Sequence, residues 1–355
     1  MGKKILIIHL AGGLGDLLLS TALLEPLRHH FPRSSVTMMV RDELREAVEG
    51  HPALDGVIGV PGGNLKGWGN LSRRAEALRK ESFDTGIVLW SRVEEAWLLF
   101  LSGIPTRVGQ DSRLFYSFLY THRVRVRSEH HDTTSHWVDI MLDYARILGC
   151  EAEAPEVAIH VDGKSEERAG AILARAGWDG SSPLIGFHVG KGLPLDEKRW
   201  PVNFFAGLAD AVAGRFGGRV LLTGSGMERG LVNAVATLMK QKPLNIAGET
   251  SIKELAAVIS RCQVFVCPDS APMHLAAAMK VPTVGIFALA SDFPSRWRPY
   301  GTEYEVVLPP GRRCAKKCVK EHCNDFSCYH DIPVADVLDA IERLTGKRRK
   351  FNQVP

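Results

Sequence analysis

The sequence predicts an α/β protein made of two doubly wound parallel-sheet lobes. Three observations carry that prediction. Short apolar runs of strand length alternate with longer segments of helical period, as in parallel sheets covered by helices on both faces. The alternation stops near residue 150 and starts afresh near residue 183. At 355 residues and 45% hydrophobic content, the chain is long enough to bury two cores.

In the first half the strand candidates are KKILIIHL, SSVTMMV, GVIGV, DTGIVLW and TRVGQ. Helix candidates lie between them, including Leu17 to His30 and Arg73 to Glu81. From about 150 to 183 the texture changes to EAEAPEVAIHVDG, a helix-like stretch and then Asp179-Gly-Ser-Ser-Pro, a loop signal that locates the lobe boundary. We draw the first lobe at 1–165 and the second at 166–332. The second half repeats the same grammar. PLIGFHVG precedes a helix from Val202 to Phe216, GRVLLTG a helix over 228–240, PLNIAG a helix over 251–260, and QVFVCPDS and VPTVGIFA follow. A last amphipathic segment, Pro333 to Leu344, has apolar residues at helical spacing and proline in its first turn. It gives 333–355 the form of a C-terminal helix with a basic tail, and Lys347 to Lys350 read as its solvated end.

Lys and Arg number 44 against 40 Asp and Glu, and the resulting +4 is too small to argue for nucleic acid. No stretch approaches the roughly 18 apolar residues of a membrane span, so no transmembrane segment is expected. KKILIIHL lacks the features of a signal peptide, so the expectation is a cytoplasmic protein. Seven cysteines are few and odd in number, which disfavours a disulfide framework.

Residues 9–28, HLAGGLGDLLLSTALLEPLR, join a strand to a helix through a glycine loop, a place where open α/β folds receive phosphate. Gly13 and Gly15 fit the start of a dinucleotide fingerprint, but the third glycine position is Leu18. Asp16 also argues against a nicotinamide cofactor, because a carboxylate in the first helical turn would face the pyrophosphate. A carboxylate there can serve as a general base toward a substrate hydroxyl or complement the helix dipole, and spacing leaves both open.

The sharper signal is VFVCPDSAPMHLAAAM, residues 264–279. Its Asp-Ser-Ala-Pro turn leads from a strand into a helix whose first N–H groups are expected to be free between Ser270 and Met273, with Pro272 at a harmless first-turn position and His274 within reach. That is the pattern of a phosphate seat, although Asp269 alone could simply cap the helix. Upstream, Glu197-Lys-Arg-Trp-Pro201 places Lys198 after a strand, where it can meet a diphosphate. After the next strand, Gly224, Gly226 and Glu228 occupy the position from which an acid grips ribose hydroxyls; a first-turn glutamate of the next helix is the alternative.

Taken together, GGLGDLLLSTALLEPLR, EKRWP, LLTGSGMERG, the run from NIAGETSIKEL through DSAPMHLAAAMKVPTVGIF, and RWRPYG resemble the ADP-heptose:lipopolysaccharide heptosyltransferases of glycosyltransferase family nine. The resemblance spans nearly the whole chain, in order, and DSAPMHLAAA is its most specific block. It implies a GT-B fold, two facing Rossmann-like domains with an interdomain cleft, with the acceptor bound mainly by the first and the nucleotide sugar by the second. It implies an inverting, metal-independent transfer of heptose from ADP-L-glycero-D-manno-heptose to the anionic lipopolysaccharide inner core at the inner membrane surface, with no cofactor. Asp16 would be the base, with Gly13 and Gly15 in a phosphate or acceptor loop. Lys198 and the turn Asp269, Ser270, Ala271, Met273 and His274 would hold the diphosphate, and Glu228 the adenosine ribose. The chain departs from the family pattern at Ala271, where glycine is frequent, and at Phe287-Ala-Leu-Ala290.

Two basic stretches suit an anionic acceptor: Lys66 with Arg73, Arg74 and Arg79, and Arg107 with Arg113, Arg123, Arg125 and Arg127. Cys314, Cys318, Cys323 and Cys328 fall within 15 residues and could hold a structural zinc or iron, although not in paired C-x-x-C form. His29, His30, His130, His131 and His136 read as surface or packing residues. Two other readings stay open: a transferase using another nucleotide sugar or acceptor, since starch-synthase-like enzymes also carry GGLGD, and a nonenzymatic nucleotide-sugar-binding protein.

Overall fold

The computed structural model describes residues 2–152, 155–190, 200–287, 294–311 and 327–351, and the chain divides into two compact units, Met1–His160 and Val161–Pro355. The first unit runs β1 (Lys4–His9), α1 (Leu14–Ser20), a 3-10 turn (Thr21–Leu23), α2 (Leu24–His30), β2 (Ser35–Arg41), β3 (Gly56–Val60), α3 (Trp68–Glu81), β4 (Thr85–Val88), α4 (Val93–Leu101), β5 (Thr106–Gln110), β6 (His122–Val124) and α5 (Trp137–Arg146). Its strands form one parallel sheet in the order β3-β2-β1-β4-β5-β6. β1 and β4 lie at its centre, and after Lys4 every residue of β1 is buried, as a strand covered on both faces must be.

The helix predicted over 17–30 is two helices joined by the 3-10 turn. A continuous α-helix would set the Pro26 ring against the carbonyl of Ala22 and leave that carbonyl without a donor. Ser20 and Thr21 add to the interruption by donating their hydroxyls back to Leu17 and Leu18 carbonyls, both at 2.7 Å. α3 begins at Trp68 rather than Arg73, because exposed Trp68 and the weak helix formers Gly69 and Asn70 hide the apolar period there. β6, a three-residue edge strand reading HRV, has no apolar run to announce it.

The second unit runs α6 (Gly163–Ala176), β7 (Leu184–His188), α7 (Val202–Phe216), β8 (Arg219–Thr223), α8 (Arg229–Leu238), β9 (Leu244–Asn245), α9 (Ile252–Ile259), β10 (Val264–Pro268), α10 (Ala271–Ala278), β11 (Thr283–Ile286), α11 (Pro294–Trp297), β12 (Tyr304–Val307) and α12 (Val334–Phe351). Its sheet is also parallel, in the order β12-β11-β10-β7-β8-β9. α7 spans the predicted residues, and α9 starts behind Ser251, whose hydroxyl accepts from the Glu254 N–H while Glu254 accepts from the Ser251 N–H. In this unit β12 is the strand that sequence periodicity missed. α12 is part of the second core: Val337, Ala340, Ile341 and Leu344 are buried in one cluster with Phe187, Trp200 and Val266. Its backbone stays helical through the basic run to Phe351.

Counted from its own first strand, each sheet has the order 3-2-1-4-5-6. The chain leaves the centre in opposite directions at β1/β4 and at β7/β10, and ligands of open α/β sheets bind beyond the carboxyl ends of such strand pairs.

Candidate active site

At the first switch point, β1 ends in buried His9 and the chain turns through Gly12, at φ +75°, into α1. Gly13 is the N-cap and Asp16 the third helical residue, and the Gly13 N–H donates to Asp16 Oδ2 at 2.7 Å. A Cβ on Gly12 would lie 2.7 Å from that oxygen and 2.8 Å from the Asp16 Cβ, so glycine is the residue that admits this carboxylate. Gly15 lies in the first turn and is half-buried. Among the described residues Asp16 Oδ1 makes no hydrogen bond. One oxygen is therefore anchored and the other is available.

Two arginines brace this loop. Arg41, at the end of β2, donates to the Gly12 carbonyl at 2.5 Å. Its methylenes lie against Gly63, where a Cβ would come within 2.8 Å, and the Gly63 carbonyl accepts from Arg92 Nη2 at 3.0 Å. Arg92, before α4, holds buried Glu95 at 2.6 and 2.8 Å. Burial lowers the His9 pKa to about 4, against the opposing pull of Asp16 and with a further push from Arg41. At neutral pH the imidazole beside Asp16 is uncharged. His9, Arg41 and the Arg92–Glu95 pair were not legible as site residues, because each is a lone polar residue at a strand or helix end; position at carboxyl ends of adjacent strands is the signal that could have found them.

At the second switch point, β10 leads through Asp269 and Ser270 into α10. Ser270 is an extended N-cap, but its hydroxyl donates to the Pro268 carbonyl at 3.1 Å and caps nothing. Pro272 has no N–H, and the Met273 N–H donates to the Ser270 carbonyl at 3.0 Å. The expectation of free N–H groups from Ser270 to Met273 is thus corrected to Ser270 and Ala271, because the tight first turn consumes the Met273 donor. A helix start whose Ser270 and Ala271 N–H groups make no hydrogen bond among the described residues, at the positive end of the dipole, is suited to an anion. The Met273 side chain is fully buried, its sulfur close to Gly285, so it packs the strand below. His274 is buried with its ring 6.5 Å from that of Trp297. Cys267, beneath the turn, has its thiol pKa pushed well up, first by burial and then by Asp269.

Glu228 closes the 3-10 turn Gly226–Glu228 after β8. Its Oε2 accepts from the Ser225 N–H at 2.7 Å and from the Ser225 hydroxyl at 2.8 Å, and lies 3.8 Å from His188 Nε2. A Cβ on Gly190, just beyond β7, would fall 1.7 Å from Glu228 Oε1. Glu228 is therefore a capping residue whose carboxyl group sits over the end of the neighbouring strand. Burial lowers the His188 pKa while Glu228 pulls it upward.

Lys198, the Phe287-Ala-Leu-Ala290 departure beyond Phe287, and Cys314, Cys318 and Cys323 lie outside the described residues; Cys328 is half-buried. Among the described residues no group of three or more His, Cys, Asp or Glu side chains could hold a metal ion. His136 caps α5 and His30 packs on Phe31. Of the basic stretches, Arg113 pairs with Glu129 at 2.6 Å and Arg127 with Asp143 at 2.8 Å. Arg107 and Arg79 donate to backbone carbonyls and Arg74 to Asn70. The side chains of Lys66, Arg73, Arg123 and Arg125 have no ion pair among the described residues.

The sequence profile described as glycosyltransferase family 9 (heptosyltransferase) matches residues 71–329. The chain is 26% identical over 297 residues to lipopolysaccharide heptosyltransferase 2 of Salmonella typhimurium, covering 82% of this chain and 84% of that protein. It superposes on a glycosyl transferase family 9 structure from Veillonella parvula with a TM-score of 0.85 and 26% identity, over 97% of this chain and 98% of the other. It also superposes on Escherichia coli ADP-heptose lipopolysaccharide heptosyltransferase II with a TM-score of 0.78 and 22% identity, over 98% and 99% of the two chains.

Proposed function

The chain belongs to glycosyltransferase family 9, the heptosyltransferase family, and from that premise we propose that it moves heptose from ADP-L-glycero-D-manno-heptose to the lipopolysaccharide inner core, with inversion and without a metal ion. The acceptor core is borne on the cytoplasmic face of the inner membrane. The observation that carries this reading is the Asp16 carboxylate, fixed by the Gly13 N–H through one oxygen and open at the other.

In this mechanism Asp16 Oδ1 takes the proton of an acceptor sugar hydroxyl as its oxygen attacks the anomeric carbon, and the bond from that carbon to the diphosphate oxygen breaks. ADP leaves with the bonding pair. Burial disfavours charge on His9, so no imidazolium pairs with the Asp16 carboxylate. Charge growing on the diphosphate is met by Lys198, by the Ser270 and Ala271 N–H groups and by the α10 dipole, with Asp269, Met273 and His274 shaping the turn. Glu228 grips the adenosine ribose with its carboxyl group, which Ser225 orients. Gly13 and Gly15 keep the acceptor side open to a close approach.

The test is a panel assay. The protein is incubated with ADP-heptose, other nucleotide sugars and heptose-deficient core oligosaccharide, and nucleotide release is followed with the mass of the acceptor. A gain of one heptose with ADP alone supports the reading. Transfer from a different nucleotide sugar, or donor binding with no turnover on any core acceptor, overturns it.

A further inference from the structure

The first unit carries an apolar protrusion that neither its core nor the transfer chemistry uses. In the connection between β5 and β6, Leu114 is 92% exposed and Phe115 87%, and Phe118, in the 3-10 turn Ser117–Leu119, is exposed as well. The connection itself is firmly anchored. Ser117 donates to the Gln110 carbonyl at 2.7 Å, Tyr116 donates to the Ser91 carbonyl at 2.6 Å, and Leu119 and Tyr120 are buried. The exposed residues are thus held outward by a fixed base.

The apolar surface continues onto α4, which packs beside residues 117–119 and exposes Phe100. The Arg107 guanidinium lies 5.6 Å from the Phe100 ring centre and donates to the Leu119 carbonyl at 2.7 Å, tying the loop to the helix. The Phe100 ring meets Trp97 edge-on at 5.8 Å, and Trp97 lines a cavity of about 320 Å³ with exposed Trp68 and the cation Lys66. Beyond the loop, exposed Arg123 and Arg125 alternate with buried Val124 and Val126 and have no ion-pair partner among the described residues.

We propose that this face, with Leu114 and Phe115 at its tip and Lys66, Arg123 and Arg125 at its margin, docks the protein on an anionic lipid bilayer. Charge complementarity selects that occupant. Unpaired Arg and Lys beside exposed aromatic and aliphatic side chains are what an interface of acidic headgroups and acyl chains receives. Shape points the same way: two consecutive side chains projecting from a turn can enter a deformable surface, whereas a globular partner needs a broad complementary patch. The inference deepens the proposed function by naming the surface through which a membrane-borne acceptor is met, and it rests on that reading only for the acceptor being membrane-borne.

The experiment is sedimentation of the full chain with phosphatidylcholine vesicles and with vesicles containing phosphatidylglycerol, alongside Leu114→Ser/Phe115→Ser and Arg123→Glu/Arg125→Glu. Turnover on a delipidated core oligosaccharide is measured in parallel for the wild type and the Leu114→Ser/Phe115→Ser variant. The wild type is expected to sediment with the anionic vesicles and hardly at all with the neutral ones. The loop variant should lose at least tenfold in partitioning while turning over the delipidated acceptor like the wild type, which separates a failure of docking from a failure of the transferase reading. The charge variant should lose the preference for anionic lipid. Equal binding by wild type and loop variant, or no vesicle binding by the wild type, overturns the proposal. So does self-association of the wild type that the loop variant abolishes, because the face would then receive a second copy of the chain.

Discussion

In the first unit, the helix that follows a central strand begins with a carboxylate tied back to its own N-cap; in the second, the helix after β10 begins with proline and a serine whose hydroxyl turns away. The two sheets share one strand order, so the scaffold does not set this difference. Asp16 fills the anion position of its own helix start, while the N-cap of α10, Ser270, makes no side-chain cap. Under the proposed mechanism a few residues would make the duplicate crevices chemically distinct, one presenting a proton acceptor and the other a seat for negative charge.

The largest test of this contrast is Asp16→Asn. The amide oxygen still accepts from Gly13, so the thermal midpoint and ADP affinity should stay near wild type while kcat falls about 10²- to 10⁴-fold. A kcat within threefold of wild type removes the chemical half of the contrast. Next is Gly12→Ala, which places a methyl group against Asp16 at a backbone angle that disfavours side chains. We expect about a hundredfold loss of kcat from the displaced carboxylate, with a stability cost of about 1–3 kcal/mol. Steady-state kinetics with denaturant unfolding checks both.

Acid should also strain the first unit. Burial lowers both His9 and His51 to about 4. Between that value and the unfolded pKa near 6.5, the unfolded chain holds more protons than the folded one, so stability is full above 6.5 and falls as pH drops toward 4. His51→Asn, which keeps an acceptor for the Ala53 N–H, should therefore flatten the stability loss between pH 7 and pH 5 by about 2 kcal/mol in urea titrations. An unchanged slope would mean that His51 is not held neutral. The smallest expected effect is Ala271→Asp, which gives the second helix the charge of the first. ADP should bind about tenfold more weakly by calorimetry, equivalent to about 1.4 kcal/mol, while the helix itself is unharmed or slightly stabilised. Unaltered ADP binding would show that this helix start is not the seat.

The architecture was largely legible because strands buried on both faces read as continuous apolar runs; KILIIH and VFVCP need no tertiary information to be recognised. The edge strands HRV and YEVV were not, since an edge carries little apolar signal and is specified by its neighbour. At the site, Asp16 and the Asp269–His274 turn stood out through local spacing. Arg41, which braces the Gly12 loop from a different strand, could not, because strand adjacency is what brings the two together. Met273 shows the opposite limit: its spacing suggested a spare donor, and only the tightness of the first turn reveals that the donor is spent.

The placement of α12 bears on how the chain is made. Because Val337, Ile341 and Leu344 complete the second core, that unit lacks part of its interior until α12 has left the ribosome, whereas Met1–His160 can close upon itself far earlier. Biogenesis is therefore staggered, with the aspartate-bearing half able to mature first, and a stop codon placed ahead of α12 should spare that half while leaving its companion exposed to proteolysis.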